Sequence, residues 1–322
     1  MLGVPLELGG KLGARRAVGE AGRAQAEAAL LSARAKVRIA TILNLHRLRQ
    51  LRHEAEVVDE SVKTFSTLNN QFSSRSRLSP EQQTSATVYR MARSQYQLRR
   101  SEINDEISEL NKYFIITVGK SEAELRKILP GAPTSWPTLE SRSAVIESPR
   151  LQSAKANFTF AQANLDLAKS EAWPTVNVGP SFRMQTQSGI SGNLLGFNIG
   201  LPIPLFNMNG AGRAAAAAGV ALSEATRDLE LKSGLTSREQ WEKVYDQSVN
   251  LLNTTLSHQE IERAHHDIDS LFSRGVVPSS LVIEAHRSYL DLEIARHSRE
   301  RKAMEALLSI YEINGSIMEK NL

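Results

Sequence analysis

The chain has 322 residues, no cysteine, 39 Lys and Arg against 35 Asp and Glu, and a formal charge of +4. Lack of Cys excludes structural disulfides and thiolate chemistry, and the scattered Lys and Arg residues form no block that would mark a nucleic-acid face. Aromatic residues are 6% and charged residues 23%, a balance that suits extended helix packing better than a bulky globular core.

The chain opens with a short apolar segment, Met1 to Leu8, containing Pro5 and broken by Gly9, Gly10 and Gly13. The opening MLGVPLELGGKLGARR lacks the charged-then-apolar order of a secretory signal. No apolar run reaches the roughly 18 residues of a transmembrane helix. From about Ala14 to Phe72 the pattern is helical, with apolar Leu48, Leu51, Val58, Val62, Phe65 and Leu68 and no interior Pro. Such a segment spans on the order of 85 Å, which points to a coiled coil or a helical tube. Ser73–Ser79 is a polar break. Ser79-Pro80-Glu81-Gln82 then reads as an N-cap with Pro at the first helical position, starting a helix that runs to Val118. A short helix over Ser121–Leu129, a linker over Pro130–Pro137 and a helix from Pro149 to about Ala172 follow.

Trp173 to Gly210 is different. Val176, Val178, Pro180, Phe182, Met184 and Thr186 alternate with Asn177, Gly179, Ser181, Arg183, Gln185 and Gln187. After a turn at Ser188–Asn193, Leu195, Phe197, Ile199, Leu201 and Ile203 alternate with Gly196, Asn198, Gly200 and Pro202. Period-2 alternation is a strand signature, and two such runs joined by a turn predict a hairpin. Each arm, about ten to twelve residues, matches a tilted strand crossing a bilayer. Pro180 weighs against a regular ladder, and Pro174, Pro202 and Pro204 mark strand ends. A lone hairpin is marginal in water, so this one needs other strands or other copies. Beyond it, an Ala-rich start at Gly212–Leu222 leads into a helix expected to run to Phe272. A break at Ser273–Val277 precedes a final helix from Pro278-Ser279-Ser280 to about Ile313.

The chain repeats itself with an offset near two hundred residues. Val4-Pro5-Leu6 matches Ile203-Pro204-Leu205, Phe72-Ser73 matches Phe272-Ser273, and Pro80 matches Pro278. Tyr113 and Gly119 echo Tyr311 and Gly315. The expected division is a first, incomplete repeat over 1–140 and a second over 141–322 that includes the hairpin at 174–206. By the repeat's logic, a helix, a strand and a turn are expected before Met1, together with the signal peptide.

These junctions resemble the TolC family of outer-membrane efflux channels, and in particular its CzcC-like heavy-metal branch. VPLELGGKLGARR is similar to that branch's first strand-to-helix junction. WPTVNVGP resembles the family's entry to a third strand, and LPIPLFNMNGAGR its fourth strand and junction. FSRGVVPSSLVIEAHRSY resembles the family's second helical tip, with Gly275, Ser279, Val282, Ile283, Glu284 and Ala285 in its places. The first tip, SSRSRLSP, departs from that pattern in lacking the Gly. The resemblance covers residues 4–315. It implies a mainly α fold of long antiparallel helical hairpins, with a β-hairpin contributing to a trimeric β-barrel. It also implies no enzyme activity, no cofactor, an outer-membrane location with a periplasmic extension, and partners in a periplasmic adaptor and an inner-membrane pump of the resistance-nodulation-division type. The expected function is a passive export conduit for divalent heavy-metal cations. The alternative is a soluble or periplasmic coiled-coil scaffold or adaptor.

Val176, Val178, Phe182, Met184, Leu195, Phe197, Ile199 and Leu201 would face lipid, while Asn177, Ser181, Arg183, Gln185 and Asn198 would face the lumen. The competing reading places the apolar face on a soluble protein core. The tips, with Leu78, Ser79 and Pro80 in one and Arg274, Gly275, Val276, Val277, Pro278 and Ser279 in the other, are candidates for adaptor docking or plain helical turns. Asp267 or Asp269 could form a ring of like charge at a tunnel mouth, but being two apart on a helix they cannot both point inward. His265 with Asp269, and Glu262 with His266, have i,i+4 spacing, whereas His46 and His53 are too far apart to share an ion. No HExxH occurs, and no metal site is assigned.

Overall fold

The computed structural model describes residues 3–74, 77–139, 147–187, 190–202, 208–274 and 276–320. The elements in order are β1 (Val4–Glu7), α1 (Lys11–Ser73), α2 (Pro80–Val118), α3 (Glu122–Ile128), α4 (Pro149–Ser170), β2 (Thr175–Gln187), β3 (Ile190–Gly200), α5 (Gly210–Thr254), α6 (His258–Ser273) and α7 (Ser279–Ile313). The matched Ile203-Pro204-Leu205 segment and the expected repeat boundary at 140/141 lie outside the described residues.

The chain divides into two compact units that each draw on distant segments. One unit comprises residues 1–35, 144–237 and 312–318. It holds an antiparallel sheet in the order β1-β2-β3. Strand β3 begins at Ile190 and pairs Asn193 with Met184, so strand replaces most of the turn expected over Ser188–Asn193. Ser188 and Gly189 lie outside the described residues. Pro180 does not interrupt β2. The described pairing with β1 covers only Thr175–Val178, and Pro180 pairs with Phe197 of β3.

Strand-to-helix turns in this unit are built by unusual backbone conformations. Gly9 has φ +72°, and a Cβ there would stand 2.3 Å from the Trp173 ring. Asn209 has φ 51° and donates through Nδ2 to the carbonyl of Ala168 at 3.0 Å, and a Cβ on Gly212 would strike its side chain at 2.2 Å. Lys11 donates to Thr175 Oγ1 at 3.0 Å, joining the start of α1 to the start of β2.

The other unit comprises residues 36–143, 238–311 and 319–322. Its core runs along α1, α2, α6 and α7, with Leu51, Val58, Phe65, Tyr89, Ile103 and Val282 buried. Leu48, Phe114 and Leu125 form a second cluster under α3. The linker predicted over Pro130–Pro137 is irregular but packed. Trp136 lies edge-on to Tyr245, whose hydroxyl donates to Pro137 O at 2.6 Å.

The expected unbroken helix to Phe272 is corrected here. Helix α5 ends at Thr254, and α6 starts afresh behind Ser257. Ser257 and Glu260 form a reciprocal capping box, the S-x-x-E device that satisfies two of the orphan N–H groups at a helix start. At the other side of the gap, Arg296 of α7 donates to the carbonyls of Leu252 (3.2 Å) and Leu256 (2.8 Å). Local caps and a cation from another helix together stabilise the interruption at Thr255-Leu256-Ser257.

Candidate functional site

The sheet sorts its residues by face through backbone register, because residues directly opposite in a ladder share a side. Val4 pairs with Val178 and Leu6 with Val176. Val178 pairs with Ile199, Pro180 with Phe197 and Phe182 with Leu195. The three strands thus combine one apolar face from Val4, Leu6, Val176, Val178, Phe182, Met184, Leu195, Phe197 and Ile199. The opposite face carries Asn177, Ser181, Arg183 and Gln185 of β2 and Asn198 of β3, with glycines at 192, 196 and 200, and the sorting has exceptions: Leu194 lies opposite Arg183 on the polar face and Asn193 opposite Met184 on the apolar one. Leu201 lies just past β3. Among the described residues most of the apolar face is uncovered: Leu195 is 83% exposed, Phe197 70% and Phe182 59%, while Val176 and Val178 are half-buried. Among the described residues no hydrophobic core cluster includes Phe182, Leu195 or Phe197. The outer edge of β3 is also unpaired among the described residues.

At the first tip, Ser79 Oγ accepts from Gln82 N at 3.2 Å and Gln82 Oε1 accepts from Ser79 N at 3.1 Å. This is the predicted cap, with Pro80 at the first helical position. Leu78 is half-buried beside it, while Ser79 and Pro80 are exposed. At the second tip, Arg274, Val276 and Pro278 are exposed and Val277 is half-buried, and Ser279 begins α7. Gly275 lies outside the described residues.

Asp267 is exposed, whereas Asp269 turns toward histidines. Its carboxylate lies 3.6 Å from His265 Nε2 and 3.6 Å from His286 Nε2. His265 is stacked on Tyr289, and His286 Nδ1 meets Ser61 Oγ at 3.0 Å. Burial and then the neighbouring His265 hold His286 down to about 3. The i,i+4 pairing of His265 with Asp269 is therefore realised, with His286 supplied by α7.

A second cluster was not visible in the spacing. His53 of α1, His258 at the start of α6, and Glu293 and His297 of α7 bring their ligand-capable atoms within 4.8 Å of one another. Glu293 Oε2 lies 2.5 Å from His258 Nδ1, 3.5 Å from His53 Nε2 and 3.7 Å from His297 Nε2. His258 Nε2 meets Glu300 Oε1 at 2.7 Å, and His297 Nδ1 meets Glu54 Oε1 at 2.9 Å. Those outer carboxylates have cations of their own: Arg47 lies 2.8 Å from Glu54 and Arg49 2.8 Å from Glu300. Burial depresses the His258 pKa, but hydrogen bonds to Glu293 and Glu300 outweigh that and push it up to about 9. Burial opposes ionisation of Glu293, yet the His258 partner brings its pKa down to about 2. The only sequence signal was the i,i+4 spacing of Glu293 and His297, which by itself is common on helices.

With this geometry in hand, comparison with solved structures decides the fold. The outer-membrane channel CmeC of Campylobacter jejuni aligns with a TM-score of 0.70 at 12% identity, over 99% of this chain and 71% of that one. The outer-membrane protein VceC of Vibrio cholerae aligns with a TM-score of 0.70 at 18% identity, over 97% and 78%. The open state of the MtrE outer-membrane channel of Neisseria gonorrhoeae gives 0.67 at 16%, over 99% and 75%. The chain has the fold of outer-membrane channels. No protein-family model matches the chain, and no curated protein matches it in sequence. An outer-membrane channel fold places a strand hairpin and long helices in one chain, the plan that the alternation at 176–201 and the helical pattern at 14–72 predicted. No helix among the described residues is long and apolar enough to cross a membrane.

Proposed function

We propose that this chain is a subunit of an outer-membrane channel in a tripartite efflux system, a passive export conduit for divalent heavy-metal cations. The observation that carries the reading is the uncovered apolar face built in register by β1, β2 and β3. A contiguous apolar face of this kind is costly in water and suited to hydrocarbon. In this reading Val176, Val178, Phe182, Met184, Phe197, Ile199 and Leu201 face lipid, and Asn177, Ser181, Arg183, Gln185 and Asn198 line a lumen. An open strand edge in lipid leaves backbone groups unsatisfied, so the edge of β3 calls for a neighbouring strand and the barrel for further copies, as a homotrimer. The two tips, at Leu78–Pro80 and Arg274–Ser279, would dock a periplasmic adaptor, and an inner-membrane pump of the resistance-nodulation-division type would supply the energy. Since Asp269 turns to histidines, exposed Asp267 is the better carboxylate for a cation-favouring ring at the tunnel mouth. The metal cargo rests on the likeness of VPLELGGKLGARR to the metal branch.

The test is to express the gene in its natural context, fractionate the membranes, measure the native mass and record the purified protein in planar lipid bilayers. A heat-resistant outer-membrane trimer with cation-preferring conductance steps supports the proposal, as does metal sensitivity on gene deletion. A soluble monomer or dimer with no conductance overturns it in favour of a helical scaffold.

A further inference from the structure

The cluster of His53, His258, Glu293 and His297 is more than an ion-paired patch. Its four inward atoms are three imidazole nitrogens and one carboxylate oxygen, drawn from three helices of one compact unit. Tetrahedral coordination at ordinary metal–nitrogen distances separates neighbouring ligand atoms by about 3.3 Å, and the separations from Glu293 Oε2 run from 2.5 to 3.7 Å. We propose that these four side chains form a binding site for a divalent transition-metal cation of the zinc class, which ties α1, α6 and α7 together in the helical unit. The proposal stands apart from the channel's cargo and does not depend on it.

Three independent features point to a metal in preference to a network held by protons alone. First, His297 Nε2 and Glu293 Oε1 are buried and have no hydrogen-bond partner among the described residues, on side chains 1% and 0% exposed. Buried polar atoms are rarely left this way without a bound species. Second, the outer nitrogens of His258 and His297 are each held by a carboxylate, Glu300 and Glu54. Such a carboxylate–histidine pair fixes the ring and raises the basicity of its other nitrogen, the usual outer arrangement around a bound metal. Third, the charges are apportioned. Arg47 and Arg49 neutralise the outer carboxylates, whereas Glu293 meets only histidines among the described residues. Inner Glu293 is thus left for a cation that the histidines also bind.

The donor set decides the class. Three imidazoles and one carboxylate suit zinc, cobalt or nickel, whereas calcium and magnesium demand mostly oxygen, and no Cys is present to favour monovalent copper. On binding, His258 gives up the proton at Nδ1 to solvent while Nε2 stays with Glu300. The group of His265, Asp269 and His286 has fewer donors, and the outer nitrogen of His286 faces a hydroxyl, Ser61 Oγ, in place of a carboxylate.

The full-length protein, purified and stripped with a chelator, would be titrated with zinc by calorimetry and with cobalt by visible absorption. One ion per chain is expected, with the intense visible bands of tetrahedral cobalt and a rise in Tm with zinc. His53→Gln, at a half-exposed position that leaves packing intact, and His258→Gln should weaken binding by more than a hundredfold. Glu300→Gln should weaken it about 10–100-fold, and the exposed His266→Gln should leave it unchanged. Far-ultraviolet circular dichroism checks that each variant is folded. The proposal is overturned if the wild-type protein binds neither ion, if its cobalt spectrum is octahedral and weak, or if binding survives His53→Gln and His258→Gln but is lost in His286→Gln.

Discussion

The guanidinium of Arg296 on α7 donates to the carbonyl oxygen of Leu256 at 2.8 Å, and also reaches Leu252 O at 3.2 Å. One side chain thereby closes the end of α5 and fixes the gap before α6. That gap sets His258 at the start of α6, within reach of Glu293 and Glu300. Arg296→Met keeps the aliphatic stem and removes the donors. It is expected to destabilise the helical unit by about 1–3 kcal/mol through unsatisfied carbonyls, seen as a lower Tm. Ser257→Ala, which removes only the cap of α6, should cost about 1 kcal/mol. If Arg296→Met left Tm unchanged, the gap would be set by the cap alone.

The two faces of the sheet make opposite predictions for the same new charge. Phe182→Arg places a guanidinium on the apolar face opposite Leu195, and should cost membrane integration about 2–4 kcal/mol if the residue lies near mid-bilayer. Ser181→Arg, one residue away on the face shared with Arg183 and Gln185, should integrate normally. Flotation of labelled protein with outer-membrane vesicles measures both. Equal behaviour of the two variants would remove the face assignment.

Stability of the metal-free protein should pass through a maximum near neutral pH. Burial, then Arg49, holds His46 down to about 4, and burial, then His265, holds His286 down to about 3. Unfolded, both take a proton near 6.5. Stability is therefore full above about pH 6.5 and is lost as the pH falls toward 4, where the unfolded chain binds more protons. His258 works the other way. Its folded pKa is raised to about 9, so its contribution is full below about 6.5 and is lost as the pH rises through 9. The groups facing it are Glu293, Glu300, His53 and His297. Tm measured across this range in chelator should show both limbs, and His258→Gln should flatten the alkaline one while the acid limb from His46 and His286 persists.

Gly9 and Gly10 separate two causes of glycine use. Both have positive φ, +72° and +74°, but only at Gly9 would a Cβ strike a neighbour, the Trp173 side chain. Gly10→Ala should cost about 1–2 kcal/mol from backbone strain alone. Gly9→Ala should cost more, because the ring that closes the β1–α1 and α4–β2 junctions must move. Thermal melts of the two variants, with Trp fluorescence reporting the ring, distinguish them.

Much of this molecule was legible in its sequence because the deciding interactions are local. The alternation at 176–187 and 195–201 specified strands and their faces, since the strand's period is a property of the backbone. The Ser79-Pro80-Glu81-Gln82 cap was readable because all its partners lie within one helical turn. The face's exposure was not readable, because alternation is the same whether the apolar side meets lipid or a protein core. The exposure of Phe182, Leu195 and Phe197 became visible only once β1, β2 and β3 were placed among the other described residues. The gap between α5 and α6 was half visible in Ser257 and Glu260, but the carbonyls it strands are satisfied by Arg296, forty residues on. The His53, His258, Glu293 and His297 cluster was least visible of all. Its members sit on three helices with no diagnostic spacing, and only side-by-side packing of α1, α6 and α7 converts scattered imidazoles and a carboxylate into one convergent set of donors.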